Sequence, residues 1–394
     1  MLKGKTVVLG VTGSIAAYKI ANLARMLVKQ HCEVHVLMTQ NATNFINPIT
    51  FETLTKHKCL IDTFDRNFEF SVEHVALAKA ADVVMIAPAS ANVIGKIANG
   101  IADDMLTTTV MACPCKKIVS PAMNHNMFHN PIVQDNIEKL KHYGYEIVEP
   151  AHGMLANGDM GDGRMPDEEL LFEYIVKEIA FEKDMTGKKV LVTAGATVEA
   201  IDPVRFITNH SSGKMGFALA KNAMLRGADV TLVMGKCDSE PPVFVNTVKV
   251  QSGKDMYDAV IERADSMDII VKAAAVADYR PKNVSSEKVK KQDGNMSIEL
   301  ERTDDILKTL GERKNSQFIC GFSMETENML ENSRKKLEKK NCDMIVANNL
   351  KQDGAGFGGN TNIVTLITKD DEVQLEKMTK DEVAEKIFDF ILSR

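Results

Sequence analysis

Residues 187–216 read GKKVLVTAGATVEAIDPVRFITNHSSGKMG, and this stretch decides the fold of the second half of the chain. The apolar, β-branched run 190–193 predicts a short buried strand. The small residues 194–197 then predict a tight turn. Residues 209–216, rich in Gly, Ser and Asn, precede an amphipathic helix at 217–225. Such a loop offers free backbone N–H groups to a phosphate, although an ordinary strand-to-helix loop is an equal alternative.

The composition describes a globular chain of two or three domains. It has 394 residues, 44% of them apolar and 26% charged, which suffices for an adequate core. The net charge of −6 provides no broad basic surface and argues against a nucleic-acid partner. Seven cysteines lack disulfide or zinc spacing, as in a reducing cytoplasm. No apolar run reaches the about 20 residues of a membrane helix, so we expect a cytoplasmic protein without a membrane partner.

The first half opens with a strand, a turn and a helix. Residues 6–9 predict a buried strand, residues 15–30 a helix and residues 33–38 a second strand at βαβ distance. The turn at 10–14 matches only part of a dinucleotide fingerprint, and no acidic residue closes the second strand. Instead that strand ends in hydroxyl and amide side chains from Thr39 onward, which suit a phosphate or a flavin ring better than a ribose diol.

Three later features of this half are candidates for chemistry. His74 lies in a segment with helical apolar spacing, where a lone histidine is more often structural than catalytic. Residues 87–92 are small and follow the buried strand 83–86, so backbone there can approach a ligand closely. Asn124 follows the strand 117–119; it can hold a substrate carboxylate, or simply cap the next helix.

The second half repeats the opening pattern, since residues 187–191 echo residues 4–8. Residues 273–279 follow a predicted strand, where small side chains admit a flat base and Asp278 can accept hydrogen bonds. The lysine-rich run 287–291 fits a solvated loop, or a mobile loop that neutralises a triphosphate. The sequence therefore predicts an α/β protein of two Rossmann-like or flavodoxin-like three-layer domains, residues 1–183 and 184–394, with mainly parallel sheets.

The motifs of the first half resemble the homo-oligomeric flavin-containing cysteine decarboxylases. Residues 10–19 are similar to that family's flavin-phosphate turn, and residues 87–92 to its flavin- and substrate-binding loop. Residues 121–128, PAMNHNMF, are similar to its signature, with Phe128 where Trp is common. With Thr39, the resemblance implies an FMN site of Gly13, Ser14, Ser90, Ala91 and Asn92, and catalytic roles for His74 and Asn124.

The segment 151–166 resembles the flap that covers the substrate in this family, and it implies substrate contacts by Arg164 and Met165. In the pantothenate-pathway members, the motif Leu-Ala-Cys-Gly supplies the cysteine that protonates an enethiolate. Here residues 155–158 read LANG, with Asn157 at the position of that cysteine. An amide cannot release a proton at neutral pH, whereas a thiol of pKa ~8.5 can. We therefore expect the FMN site to be intact and the final reduction to be impaired.

The second half resembles the bacterial, CTP-using phosphopantothenate–cysteine ligases. The matches lie in residues 193–197, 202–205, 209–216, 273–278, 288–291, 303–306 and 336–348, with Asp304 where proline is frequent. The resemblance implies that CTP and Mg²⁺ activate phosphopantothenate as an acyl-cytidylate, which cysteine then attacks. It implies catalytic roles for Asn209, beside the acyl-cytidylate, and Lys288; the nucleotide or substrate contacts it implies are Ala273, Ala274, Ala275, Asp278, Lys288, Thr303, Asp304, Asp305, Ile306, Phe322, Lys336 and Lys340.

The two halves follow the order of bifunctional coenzyme A biosynthesis proteins, in which the ligase product is the decarboxylase substrate. That resemblance also implies a homo-oligomer, a dodecamer. Two other functions stay open on sequence alone. One is a NAD(P)-dependent oxidoreductase, against which the incomplete glycine fingerprints argue. The other is a ligase whose first domain binds flavin but only regulates, because of Asn157.

Overall fold

The computed structural model describes residues 2–63, 73–155, 158–290, 296–325, 328–349 and 359–394. The chain divides into two compact units, Met1–Phe181 and Glu182–Arg394. Among the described residues, no helix is both long and apolar enough to cross a membrane.

Five parallel strands form the sheet of the first unit, and an antiparallel hairpin of two strands follows it. The sheet strands are β1 (Thr6–Val11), β2 (Glu33–Met38), β3 (Val83–Ala89), β4 (Lys116–Pro121) and β5 (Glu146–Ile147), and the hairpin strands are β6 (Ala151–Met154) and β7 (Met160–Arg164). Their order in the sheet is β2-β1-β3-β4-β5. Val7, Val8 and Leu9 have no exposed surface, as expected for a central parallel strand covered on both faces.

Helices cover both faces of this sheet. They are α1 (Ile20–Lys29), α2 (Pro48–Thr55), α3 (Glu73–Ala80), α4 (Ala91–Ala98), α5 (Met105–Ala112), α6 (His125–Phe128), α7 (Pro131–His142) and α8 (Glu168–Ile179). Val8 and Val84 share one buried cluster with residues of α3, α4, α5 and α7. On the opposite face, α8 contacts β3 and β4 and packs beside α1. The predicted helix 15–30 is in fact a 3-10 helix, Ile15–Lys19, followed by α1; such tight turns are frequent at helix N-termini.

Eight strands form the sheet of the second unit. They are β8 (Lys189–Ala194), β11 (Asp229–Met234), β12 (Asn246–Lys249), β13 (Ile269–Lys272), β16 (Phe318–Glu325), β17 (Met344–Asn349), β19 (Val364–Ile367) and β20 (Glu372–Gln374). Their order is β12-β11-β8-β13-β16-β17-β19-β20; the first six run parallel, and β19 and β20 each pair antiparallel with the strand before them in this order. The predicted α/β class with mainly parallel sheets is confirmed.

The remaining elements of the second unit are three short strand pairs and five helices. The pairs are β9 (Val198–Ala200) with β10 (Phe206–Thr208), β14 (Tyr279–Pro281) with β15 (Leu300–Arg302), and β18 (Thr361–Asn362) with β21 (Met378–Thr379). The helices are α9 (Lys214–Leu225), α10 (Gly253–Ala264), α11 (Ile306–Glu312), α12 (Met329–Lys339) and α13 (Lys380–Leu392). A buried cluster joins α10, α11 and α12 to the sheet through Leu191, Ile270 and Ile319.

Candidate active sites

The first site lies where the connections of the first sheet reverse direction, between β1 and β3. Ligands of such sheets bind at the carboxyl ends of the strands at this point. Thr12 follows β1 and is fully buried; its Oγ1 donates to the carbonyl oxygen of Pro88 at 2.6 Å and accepts from the Ser90 N–H at 2.9 Å. This pair of bonds, the Thr12 link, ties the ends of the two strands together.

The turn after Thr12 has little room for side chains. A Cβ on Gly13 would lie 2.8 Å from Cβ of Asn41, so only glycine fits this close approach. Ser14 is the N-cap of the 3-10 helix and accepts from the Ala16 N–H at 3.5 Å. Thr39 follows β2, and its Oγ1 is buried without a hydrogen-bond partner in the described part of the chain. The strand ends thus present an unsatisfied buried hydroxyl, which fits the polar edge of FMN.

A cavity of about 530 Å³ opens beside this turn. Of the predicted residues it brings together Ser14, Asn124, Arg164 and Met165. Asn124 is also the N-cap of α6, because its Oδ1 accepts from the Asn126 N–H at 2.9 Å. Asn124 thus caps this helix through its oxygen, and because Nδ2 is not used for capping, a contact with the substrate carboxylate stays a prediction.

The hairpin β6–β7 forms one wall of this cavity and packs closely against the segment that contains Met123. The Met123 N–H donates to the carbonyl oxygen of Gly163 at 3.0 Å. Gly163 has φ of +116°, and a Cβ there would lie 2.3 Å from the carbonyl oxygen of Met123. The hairpin can therefore approach this segment only with glycine at position 163.

The other residues predicted for the first half lie apart from the cavity lining. His74 is the second residue of α3, and Ala91 and Asn92 begin α4 after the N-cap Ser90. These four residues do not line the described cavity, and Gly13 and Thr39 do not line it either. Asn157 lies outside the described residues.

The second site repeats the arrangement at the reversal between β8 and β13. Oγ1 of Thr193 accepts from the Ala274 N–H at 3.0 Å, and Oγ1 of Thr197 accepts from the Ala277 N–H at 3.0 Å. Both threonines are fully buried. The predicted residues Ala273, Ala274 and Ala275 therefore belong to a segment whose backbone is held against the end of β8.

A cavity of about 580 Å³ lies at this edge of the second sheet. It brings together eight of the residues predicted to contact the nucleotide or substrate: Asp278, Thr303, Asp304, Asp305, Ile306, Phe322, Lys336 and Lys340. They come from four separate stretches of sequence. Thr303 links two of these stretches, because its Oγ1 donates to the carbonyl oxygen of Ala277 at 2.6 Å.

Charged side chains dominate this cavity. Lys340 forms an ion pair with Asp305, and Lys336 Nζ donates to the carbonyl oxygen of Phe322 at 2.9 Å. Lys272, at the end of β13, also lines the cavity. Burial, and secondly the neighbouring Lys336, lower the pKa of Lys272 to about 8, while Asp305 and Asp278 act in the opposite direction. The site can thus bind a polyanion through several ammonium groups.

Asn209 is held against the segment that follows β13. Its Nδ2 donates to the carbonyl oxygens of Val276 at 3.2 Å and of Ala275 at 3.4 Å. The side chain is exposed, so a ligand can reach it beside the Ala273–Asp278 backbone.

Lys288 is an exposed residue that does not line the cavity of the described structure. Its neighbour Val289 is fixed, because the Val289 N–H donates to Asp202 Oδ2 and its carbonyl oxygen accepts from Arg205, each at 3.2 Å. The lysine-rich run, whose sequence fits either a solvated loop or a mobile one, is thus anchored at this point. Residues 291–295 lie outside the described residues.

Sequence reasoning missed several residues of these sites. The predicted site residues do not include Lys272, although a lysine that closes an otherwise apolar strand at a ligand-binding edge is a usable signal. The lysines Lys19 and Lys339 line the first and the second cavity, respectively. Lys19 Nζ lies 2.7 Å from Asp167 Oδ1, a pairing that no local pattern indicates.

Comparison with known proteins matches each half of the chain to a protein family. The family model described as "Flavoprotein" matches residues 1–180, and that described as "DNA/pantothenate metabolism flavoprotein C-terminal domain" matches residues 185–394. The coenzyme A biosynthesis bifunctional protein CoaBC of Bacillus subtilis (strain 168) is 48% identical over 94% of this chain and 92% of its own. That of Vibrio cholerae serotype O1 is 43% identical over 99% and 98%.

A solved structure of the C-terminal domain of a CoaBC protein is 48% identical and covers 52% of this chain and 95% of its own, with a TM-score of 0.46. The CoaBC proteins of Bacillus subtilis and Vibrio cholerae match this chain along almost its entire length, and the matches also cover almost their own entire length. The chain therefore belongs to the family of the coenzyme A biosynthesis bifunctional protein CoaBC.

Proposed function

We propose that this protein carries out two consecutive steps of coenzyme A biosynthesis. The second unit joins 4′-phosphopantothenate to cysteine at the expense of CTP, and the first unit decarboxylates the 4′-phosphopantothenoylcysteine so formed. The observation that carries this proposal is the lysine-rich cavity of the second unit. Eight residues assigned to the nucleotide or the substrate, from four separate stretches of sequence, line it together, as expected if they serve one reaction.

The ligase step requires a carboxylate, a poor electrophile, to be activated. The phosphopantothenate carboxylate attacks the α-phosphate of CTP, and pyrophosphate leaves. Lys272, Lys336 and Lys340 offset the charge of the triphosphate and of this leaving group. Mg²⁺ would find hard oxygen ligands in Asp278, Asp304 and Asp305, which line the same cavity.

The amide bond forms in the second half of this reaction. The cysteine amine attacks the acyl-cytidylate, and CMP leaves. Asn209 lies against the backbone of Val276 and positions the acyl-cytidylate beside it. Because Lys288 stands outside the cavity lining, we assign it to the approach of the triphosphate rather than to the cavity itself.

In the first unit the residues at the strand ends hold the flavin and the substrate. FMN, when bound, supplies the two-electron redox chemistry of the decarboxylation. The turn at Gly13 and Ser14 binds its phosphate, the buried hydroxyl of Thr39 offers a hydrogen bond, and Ser90, Ala91 and Asn92 complete this site. Asn124 binds the substrate carboxylate through Nδ2, and Arg164 and Met165 close over the substrate.

We further propose that the protein is a homo-oligomer, a dodecamer, in the cytoplasm. His74 does not line the cavity of its own chain, which suits a decarboxylase site completed between subunits. All seven cysteines are free thiols, which suits a reducing compartment. Light scattering of the purified protein tests the assembly, with a mass twelve times that of the chain expected. A monomer would contradict it.

Mass spectrometry of the products tests the function. Phosphopantothenate, CTP, Mg²⁺ and cysteine are supplied to the full-length protein. We expect CTP-dependent release of pyrophosphate and CMP, together with 4′-phosphopantothenoylcysteine. Loss of carbon dioxide should follow, with little saturated phosphopantetheine, because Asn157 cannot supply the last proton. In the Asn157→Cys variant the saturated product should accumulate. Absence of CTP-dependent ligation would overturn the assignment of the second unit.

A second function of the first unit is favoured by Asn157 itself, namely a flavin-binding unit that only regulates the ligase. Carbon dioxide release, scored separately from saturated product, separates the two. A yellow protein that ligates but releases no carbon dioxide, with or without Asn157→Cys, would establish the regulatory function. Saturated product at ordinary rates from the unmodified chain would instead contradict an impaired final reduction.

A further inference from the structure

Four side chains with metal-binding atoms meet beside Asn124, outside the residues assigned to the flavin or the substrate. His125 and His129 lie on and just after α6, while His152 and Asp162 lie on β6 and β7 of the hairpin. We call these four residues the hairpin cluster. No role in either reaction has been given to them.

The distances within the hairpin cluster are short. Asp162 Oδ2 lies 2.9 Å from His129 Nε2, and Asp162 Oδ1 lies 2.8 Å from His152 Nδ1. The Asp162 N–H also donates to His125 Nδ1 at 3.1 Å. One ligand atom each from His125, His129 and Asp162 lie within 4.8 Å of one another.

This arrangement matches the demands of a tetrahedral metal ion. Two histidines four positions apart share one face of a helical turn, the spacing that binds zinc in helical metal sites. Bonds of 2.0–2.1 Å around zinc place neighbouring ligand atoms about 3.3 Å apart. The candidate ligand atoms of His125, His129 and Asp162 lie within 4.8 Å of one another, so rotations of these side chains can bring them to that spacing. The imidazole ligands favour Zn²⁺ and similar ions over Mg²⁺ or Ca²⁺.

The ligands also come from two elements that must be held together. The hairpin touches the segment before α6 through the bond from Met123 to Gly163, and it forms a wall of the cavity that contains Asn124 and Arg164. His129 is 48% and Asp162 37% exposed, so an ion can enter from solvent. A bound ion would therefore fasten the hairpin to α6 next to that cavity.

We propose that the hairpin cluster is a binding site for one divalent transition-metal ion, of which Zn²⁺ is the best match, and that the ion fixes the hairpin β6–β7 against α6. The site serves neither reaction directly; its effect is to hold the strands β6 and β7 in the position that they have beside α6.

Titration of the full-length, tag-free protein with Zn²⁺, and with Co²⁺ as a coloured probe, tests this proposal. We expect one ion per chain and a tetrahedral visible absorption band with Co²⁺. His129→Ala and Asp162→Asn should each weaken binding at least about tenfold. Asp162→Asn is the milder change, because it keeps the shape of the side chain and guards against a folding defect.

The matched control is His35→Ala. Glu33, His35 and His57 form another group of metal-binding side chains in the described structure, on and after β2, and their loss should leave the titration unchanged. Hydrogen exchange gives an independent readout: Zn²⁺ should slow exchange of amides at residues 151–155 and 158–164 in the unmodified chain and not in Asp162→Asn. Absence of saturable Zn²⁺ binding would overturn the proposal, as would binding that His35→Ala abolishes and His129→Ala does not change.

Discussion

Asn209 donates its side-chain amide to the carbonyl oxygen of Val276 at 3.2 Å. The bond joins the loop before α9 to the segment after β13, the two stretches on either side of the proposed acyl-cytidylate. Because Ala275 offers a second carbonyl oxygen to the same amide, the position requires a donor. A carboxylate there would face two carbonyl oxygens and the negative charge of the ligand.

Asn209→Asp should therefore abolish amide formation while pyrophosphate release continues. We expect the rate of 4′-phosphopantothenoylcysteine formation to fall at least about a hundredfold, the order found when one donor that stabilises developing charge is removed. Product analysis by mass spectrometry, with pyrophosphate assayed in parallel, measures both half-reactions. Asn246→Asp, an exposed change of the same charge, is the control; full amide formation by Asn209→Asp would remove Asn209 from the site.

The affinity for CTP should fall as the pH rises through about 8. The pKa of Lys272 is lowered to about 8 by burial and by Lys336, so above that pH the free protein loses one ammonium group from the cavity. A bound triphosphate favours the charged form, which makes the dissociation constant rise by up to tenfold per pH unit. Calorimetric titration with CTP between pH 7 and pH 9.5 measures this slope, and Lys272→Met should flatten it.

The lowered pKa of Lys272 also affects the free energy of unfolding of the nucleotide-free protein. Between about pH 8 and the ordinary lysine value of 10.5, the unfolded chain binds a proton at Lys272 that the folded chain does not. The free energy of unfolding therefore gains a contribution that increases with pH in this window. Lys272→Met should remove it in urea titrations, whereas the exposed control Lys249→Met should not. An unchanged pH response in Lys272→Met would show that this lysine titrates normally.

Thr12→Val should lower the free energy of unfolding and weaken flavin binding at the first site. Valine keeps the shape of threonine but breaks both bonds of the Thr12 link, leaving the Pro88 carbonyl and the Ser90 N–H without this partner. We expect a loss of about 2 kcal/mol in the free energy of unfolding, together with reduced flavin content. Thr12→Ser keeps the hydroxyl and is the control. Urea unfolding and the flavin absorbance of the purified protein are the measurements, and retention of both by Thr12→Val would contradict this role of the Thr12 link.

Gly163→Ala should disable the decarboxylase alone. The added Cβ would meet the Met123 carbonyl oxygen at 2.3 Å in a backbone conformation that alanine rarely adopts. A displacement of the hairpin by the order of 1 Å is expected to cost about a hundredfold in turnover. Ligation should be unchanged, because the lysine-rich cavity is formed by the second unit only. Gly153→Ala, in the same hairpin but 3.4 Å from its nearest neighbour, is the control; carbon dioxide release at the ordinary rate by Gly163→Ala would refute the expectation.

Much of this architecture was predictable because it is local. The apolar runs of β1 and β8, followed by small residues, indicate parallel strands that end at a ligand-binding edge. Asp278 could be proposed for a site because it follows such a strand, whereas Asn209 was proposed through motif resemblance. Eight residues of the second cavity were identified through motif resemblance, which carries information from many sequences.

The unpredicted features depend on residues far apart in the chain. The pKa of Lys272 depends on Lys336, and the pairing of Lys340 with Asp305 spans two helices. Likewise, the anchoring of Val289 depends on Asp202, which composition cannot indicate. The sequence of the lysine-rich run, which fits a solvated or a mobile loop, therefore does not predict this tether.

The buried threonines at the strand reversals have a consequence for how the two reactions respond to acidity. Thr12, Thr193 and Thr197 join their strand ends through uncharged hydroxyls. Hydroxyls of this kind do not ionise in the physiological range, so the spacing of both crevices is preorganised and insensitive to pH. The two halves can then carry out different acid–base chemistry with the same arrangement of strand ends. The pH profile of each reaction is set by the side chains that face its own substrate.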